Sequence, residues 1–520
     1  MRCMDKADFR AAAASNQAPW ASSPSLKDRM TTIKKWLDHC KSNHGDGCIP
    51  RAEQIPHRLL EVRGDGKPPR LVLSEQIPVE QQQYTTLSHC WGPDRPICTT
   101  LDNVESFSDH IPPQAIPRTF DDAILITRTL GIRFIWIDAL CIVQDSTKEW
   151  AQEAAKMKDI YSGSVLNIAA CDSPESQGGC FPIKSSLVKT FHIVPEDRGP
   201  GLLVRLQPGD YRQVVKGTVL SSRGWVLQEQ LLSNRIVSCM SDELHWECNQ
   251  VHETEAGLHF QSSASGIHYA RTTDHGSADL DQGEMWRIWM KNFSQRDFTY
   301  WEDRLPALAG IAELYQTISG DESLVGLWKR SILEDLLWIR MGQVSPEHAR
   351  AIGSAGLPSW SWISCPSRIG FDLWQLTLVK VDRLVTVQDH CKLMDFSVEW
   401  KGVPFVSSLI SASIALHGPA VKATINVEGM TDEYDPPYFK LTISDKEDIS
   451  CTGQFDREGV RPGEYQCLLL RSRVHQQTQT RREIFLILQA RGNKYERVGL
   501  GCVYTNDLFA NAMEETFWMD

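Results

Sequence analysis

A chain of 520 residues is too long for one hydrophobic core and divides into two or three domains. Its net charge of −12 argues against a general nucleic-acid binder, which would carry a basic patch or stripe, and its 42% hydrophobic and 23% charged content is that of a folded soluble protein. Fifteen scattered cysteines without framework spacing, and no secretion signal expected in MRCMDKADFRAAAASN, point to reduced thiols in a cytoplasmic protein. No apolar run approaches the length of a membrane span.

Residues 1–28, rich in Ala, Ser and Pro, read as a loose tail, and 29–83 as a helical and extended segment that opens with TTIKKWLDHCKSNH. From Tyr84 strand and helix alternate, so residues 84–251 are expected to form one α/β core. TTLSHCW reads as a strand ended by a turn at Gly92. TFDDAILITRTLG reads as a helix with Thr119 as cap, Asp122 at the capping-box position and Gly131 at its end. RFIWID is apolar, too short for a helix and without alternation, as in a strand covered on both faces. Ser146 and Glu149 form a second capping box, SVLNIAA is the next strand, and SRGWVLQEQLLSNRIVSC adds a helix and a strand. This β-α-β-α-β order implies right-handed crossovers and a mostly parallel sheet. Residues 252–284, polar and Gly/Ser-rich, read as a linker or mobile loop; 285–370 read as helical and 371–520 as a β-rich C-terminal region.

Three sets of residues could carry chemistry. On a wheel at roughly 100° per residue, Glu153 falls about 60° from Trp150, between Met157 and Ile160 and inside the apolar stripe, while Lys156 and Asp159 point away. A carboxylate so placed is either an acid/base group in a cleft or an ion-paired helix-edge residue, held by an arginine such as Arg133 or Arg223. Asp138 ends the apolar strand, where open α/β sheets bind ligands, or else it simply caps the following turn. Cys40-x3-His44-x3-Cys48 and His245-x2-Cys248-x3-His252 offer soft ligands for zinc or iron, although neither spacing is that of a standard finger and Gly45 and Gly47 should break the first helix before Cys48. No Gly-rich phosphate loop and no GxSxG elbow is present.

YTTLSHCWG (84–92), IPRTFDDAILITRTLGIRFIWIDALCIVQD (116–145), EWAQEAAKMKDIYSGSVLNIAA (149–170) and RGWVLQEQLLSNR (223–235) resemble blocks of fungal heterokaryon-incompatibility (HET) domain proteins. The resemblance continues upstream in WLDHCKSNHGDGC and downstream in DFTYWEDRLPALAGIA, LVGLWKRSILEDLLW and LPSWSW. His89 departs from it, standing where the family more often has tyrosine. The resemblance implies non-self recognition between fungal strains that ends in programmed cell death, with a protein partner or self-assembly. It also implies a TIR/flavodoxin-like parallel sheet, and Trp150-Ala151-Gln152-Glu153 is similar to the tryptophan–glutamate pattern of TIR domains that cleave NAD. On that similarity Glu153 would stabilise the oxocarbenium-like transition state as nicotinamide leaves, with Asp138 beside it. Trp91, Ser88, Trp150 and Glu229 would line the dinucleotide pocket, and Arg223 would face the phosphates as a fork donor. An enzyme of this kind would be NAD glycohydrolase-like. A metal-dependent HET-like enzyme of specialised metabolism and a non-catalytic recognition protein are the alternatives the residues leave open.

Overall fold

The computed structural model describes residues 24–64, 66–181, 190–193, 202–205, 217–257, 259–261, 282–342, 356–371, 385–427, 438–442, 449–457, 462–504 and 508–520. The expected N-terminal tail lies outside the described residues up to position 23. Helix α1 (Leu26–Asn43) starts behind a capping box, in which the Ser25 hydroxyl accepts the Asp28 amide and the Asp28 carboxylate accepts the Ser25 amide.

Two compact units interleave along the chain. The first comprises Met1–Thr147, Asp159–Ser221 and Ser233–His268; the second comprises Lys148–Lys158, Ser222–Leu232 and Tyr269–Asp520. The first is built on a nine-stranded sheet. Its strands are β1 (Arg58–Glu61), β2 (Arg70–Leu73), β3 (Tyr84–Ser88), β4 (Phe134–Trp136), β5 (Leu166–Ala170), β6 (Arg235–Cys239), β7 (Leu244–Cys248), β8 (Val251–Thr254) and β9 (His259–Gln261). They lie in the order β9-β8-β7-β6-β5-β3-β4-β1-β2. The four central strands β6, β5, β3 and β4 are parallel, with Thr86 opposite Trp136, Leu87 opposite Ile168 and Ile168 opposite Val237. In chain order that is fourth-third-first-second, the flavodoxin-like winding, in which the sheet grows first to one side of β3 and then to the other. Every residue of β3, β4, β5 and β6 is buried, which is why RFIWID reads as an apolar run without alternation. Antiparallel neighbours close both flanks: β1 pairs with β4, and β7 with β6.

Helix α2 (Arg118–Thr129) starts behind Pro117 with no side-chain cap, which corrects the expected capping box at Thr119 and Asp122. Those two side chains accept the amides of Gly179 (3.0 Å) and Cys180 (2.8 Å) and so hold the loop that follows β5. Gly131 ends the helix at φ +72°, as expected. The next helix is broken at Lys156 into α3 (Thr147–Ala155) and α4 (Met157–Gly163). The segment read as a linker opens with β8 and β9 on the sheet flank, and its last residues start helix α6 at Gln282; positions 262–281 lie outside the described residues.

In the second unit, α5 (Val226–Leu232) packs on α7 (Pro306–Ser319). A side chain at Gly310 would meet Gln228 Oε1 at 2.8 Å and Leu232 at 3.0 Å, so glycine permits this approach. Helix α6 (Gln282–Ser294) adds the buried Trp286, Trp289 and Phe293. The C-terminal region is β-rich. Its strands are β10 (Val385–Asp389), β11 (Lys392–Trp400), β12 (Leu409–Val427), β13 (Tyr438–Thr442), β14 (Ile449–Phe455), β15 (Gly463–His475), β16 (Arg481–Arg491), β17 (Lys494–Val503) and β18 (Met513–Met519). Antiparallel pairing runs β15-β16-β17-β14-β13-β12, and the long strand β12 returns to β15 from Ala420–Leu468 to Ile425–Gly463. That return closes six strands into a barrel, which removes their free edges. Ile425, Cys467, Phe485, Ile487 and Val503 fill its core together with Phe509.

Candidate functional site

The carboxyl ends of the parallel strands, where the winding reverses, are where an open α/β sheet binds ligands. In the first unit the residues after β3 bring His89, Cys90 and Trp91 to this edge, and β4 leads to Asp138 at the start of a single helical turn (Asp138–Cys141). The Trp91 indole nitrogen donates to Asp138 Oδ2 at 3.0 Å, and the other carboxylate oxygen accepts the Ala139 amide at 2.7 Å. His89 Nδ1 lies 3.8 Å from Asp138 Oδ1, beyond hydrogen-bond range, so the two form an ion pair only when the imidazole is protonated. The imidazole is buried edge-on against Phe120, with 4.9 Å between centroids. Trp91 is half-buried, and the Arg95 guanidinium lies over its ring at 5.8 Å. Gly92, at φ +84°, turns the chain away; a Cβ there would stand 2.5 Å from that of Glu175.

Ser88 does not reach this edge. It is fully buried and exchanges hydrogen bonds with the Asn167 side chain at 3.1 Å, a cross-strand bond inside the sheet that removes it from the expected ligand contacts. Asp172 ties the ends of β5 and β6 together by accepting the Ser241 amide (2.8 Å) and hydroxyl (2.6 Å).

Glu153, Trp150, Arg223 and Glu229 belong to the second unit, whereas Ser88, Trp91 and Asp138 belong to the first. Glu153 is 1% exposed, as its place in the apolar stripe predicts, and Lys156 Nζ binds its Oε1 at 2.9 Å. The wheel had Lys156 pointing away. Three positions is nevertheless the spacing of a helical ion pair, and its long side chain folds back onto the carboxylate beside the helix break. Trp150 packs edge-on against Trp225 (6.0 Å), whose indole donates to Asp303 at 3.1 Å. Burial pushes the Asp303 carboxyl up, and the Trp225 hydrogen bond opposes this. Arg223 and Asp297 form an isolated parallel bridge, and Arg296 donates to the Arg223 carbonyl (3.2 Å) and to Gln230 (3.2 Å). Glu229 is buried, with Arg296 as a nearby charge.

The two Cys/His sets are rearranged. Cys40, His44 and Cys48 stand together with Cys248, whereas His245 and His252 stack on each other with 5.7 Å between centroids. Helix α1 carries Cys40 and ends at Asn43. Gly45, at φ +53°, then turns the chain into a short 3-10 helix (Gly45–Cys48) that brings Cys48 back under His44. The break expected at these glycines is therefore what assembles the cluster. Cys248 arrives from the end of β7, with its Sγ 3.3 Å from His44 Nδ1. Hydrogen bonds from Cys248 and Cys48 hold the Cys40 thiol down, to about 3, against the cost of burial. Sequence spacing could not reveal Arg235, whose Nε lies 3.1 Å from Cys40 Sγ, or the partnership between Cys248 and a motif some two hundred residues earlier. Lys156 was visible in principle, three positions after Glu153.

Among the described residues no helix is long and apolar enough to cross a membrane. No curated protein and no solved structure matches the chain. A family model described as Heterokaryon incompatibility protein (HET) matches residues 84–229, which take in three of the four parallel strands, the Trp91–Asp138 edge, the helix that carries Glu153 and the first turn of α5 up to Glu229. Residues 84–229 therefore carry the HET family's signature, over somewhat more than a quarter of the chain.

Proposed function

We propose that the protein is an effector of fungal non-self recognition in which the HET domain, once triggered by a partner protein or by self-assembly, commits the cell to death. The observation that carries this reading is the HET match lying on a flavodoxin-like parallel sheet, with Trp91 and Asp138 joined at its carboxyl edge. That edge suits a small ligand with an aromatic or heterocyclic face and anionic groups. Trp91 offers a stacking surface, and Arg95 above it offers a fork donor for phosphate. A dinucleotide has both features.

Cleavage of NAD by Glu153 is a separate part of this reading, supported by the likeness of Trp150–Glu153 to the tryptophan–glutamate pattern and by the burial of the carboxylate, and not by its position relative to that edge. The carboxylate is buried among apolar groups, which strengthens its field on a developing positive charge, but Lys156 occupies it. Activity therefore requires the pair to open at the helix break, and the untriggered chain is expected to be silent. The test is nicotinamide release from NAD by the full-length protein, alone and after induced assembly, beside Glu153→Ala. Release that appears on assembly and is lost in the variant supports the reading. No release in any assembly state, or full release by the variant, rejects the enzymatic output. Incompatibility itself is tested by expressing the protein in strains that differ in genotype and scoring death after cell fusion.

The Cys/His cluster does not favour a metal-dependent enzyme. A catalytic zinc site keeps one position open for water or substrate, and here four protein donors converge.

A further inference from the structure

Cys40, His44, Cys48 and Cys248 present one ligand atom each, and all four atoms lie within 4.8 Å of one another. All three thiols are buried and the imidazole is partly so. In a tetrahedral site with Zn–S near 2.3 Å and Zn–N near 2.0–2.1 Å, the sulfur-to-nitrogen edge is about 3.6 Å. His44 Nδ1 stands 3.3 Å from Cys248 Sγ and 4.0 Å from Cys48 Sγ, on either side of that length.

We propose that these four side chains bind one structural zinc ion. All three sulfurs coordinate as thiolates, any thiol still protonated giving its proton to solvent on binding, and His44 coordinates through Nδ1 while Nε2 keeps its proton. A divalent ion with three thiolates and a neutral imidazole carries one net negative charge. Arg235, buried on β6 with Nε 3.1 Å from Cys40 Sγ, supplies the opposite charge and orients that ligand from outside the coordination shell. Iron–sulfur clusters are also held by thiolates, but three sulfurs and one nitrogen around a single point are the donor set of a closed structural zinc site.

The placement gives the ion a task. All four ligands lie outside the HET match, three before it and one after it. Zinc would tie helix α1 and its glycine turn to β7, the strand that flanks the parallel core. Direct contacts already prepare that junction: Asn249 Nδ2 donates to the Gly47 carbonyl at 2.5 Å, and Trp36 packs on Trp246 with 6.1 Å between centroids. A second group, Asp242, Glu243 and His245, is less apt, because its carboxylates accept the backbone amides of Glu243 and Ala256.

Elemental analysis of the full-length protein, purified without chelator and dialysed against metal-free buffer, tests the assignment. The expected content is close to one zinc per chain, falling to near zero in Cys248→Ser and retained in His44→Cys, which keeps four soft ligands. A folded chain that holds no zinc and whose cluster thiols react with a thiol reagent or are paired as disulfides would overturn the proposal. So would unchanged zinc in Cys248→Ser. If that variant does not fold, cobalt exchange into the native chain decides the matter. Tetrahedral d–d bands with intense thiolate-to-cobalt charge transfer support the site, and their absence refutes it.

Discussion

Replacing Asp138 by alanine probes the candidate edge directly. The carboxylate accepts two hydrogen bonds, from the Trp91 indole at 3.0 Å and the Ala139 amide at 2.7 Å. Bonds to a charged acceptor contribute about 1.5–3 kcal/mol each when buried. The Asp138 side chain is 32% exposed, so water can satisfy part of what is lost, and the discounted cost of Asp138→Ala is about 1–2 kcal/mol in all. Trp91→Phe keeps a ring but removes one of the two bonds and should cost roughly half as much. Urea unfolding of the full-length protein measures both. Binding of NAD, followed by calorimetry, should weaken at least about tenfold in Asp138→Ala, the equivalent of ~1.4 kcal/mol, because the indole loses its orientation. If both variants lose stability as expected yet bind NAD like the native protein, the edge is structural and the site proposed there is wrong.

Other consequences can be checked separately. Gly92→Ala places a Cβ 2.5 Å from that of Glu175 at φ +84°, and should destabilise the first unit by about 1–3 kcal/mol in a denaturant melt. Arg497 is wholly buried in a two-pronged bond to Asp456 (3.0 and 3.3 Å), so Arg497→Met strands a buried carboxylate at a cost of about 3–5 kcal/mol. Its melt should show the loss in the second unit. Asp335, buried beside Arg287 at 3.2 Å, has its carboxyl pushed up to about 7 by burial, with the arginine opposing. A folded value above the unfolded one favours folding most below the unfolded value. Its contribution, on the order of 4 kcal/mol, is therefore fully present below pH ~4 and lost as pH rises towards ~7. Asp335→Asn should flatten that part of the stability–pH curve, and an unchanged slope would refute the assignment.

The parallel core was legible in its strands: FIWI read as an apolar run covered on both faces, TTLSHC and LNIAA read as strands, and all three are buried throughout. Glu153 was legible as a buried carboxylate for the same periodic reason. Its partner Lys156 stood at the three-residue spacing of a helical ion pair, but the wheel, which places side chains by direction and not by reach, set it outside the stripe. Thr119 and Asp122 have the spacing of a capping box yet bond the loop at Gly179 and Cys180, a tertiary demand that outweighed the local one. The Cys/His spacings announced ligands without revealing their grouping. Cys248 left its sequence neighbours because alternation along β7 sends His245 and Cys248 to opposite faces. The closure of the C-terminal strands depends on β12 pairing with different partners along its length, which composition cannot express.

The family match and the folding units have different boundaries, and this has a consequence for any fragment. Residues 84–229 contain three parallel strands of the core, but the fourth, β6, starts at Arg235. The flanking strands β1 and β7 also lie outside the match. Without them β4 and β5 become bare edges of a buried parallel sheet, with unpaired amides and carbonyls beside apolar faces. The segments Lys148–Lys158 and Ser222–Leu232, which carry Glu153 and Glu229, group with residues beyond 269, where α7 packs on α5 around Gly310. A fragment of 84–229 therefore lacks neighbours for the sheet and for the helices that bear its acidic residues. Expressed alone, it is expected to aggregate or to lack dispersed amide resonances, while the full-length chain is expected to fold. A monomeric, well-dispersed spectrum from the fragment would show that the HET segment is self-sufficient, and that the strands and helices around it serve some purpose other than completing its fold.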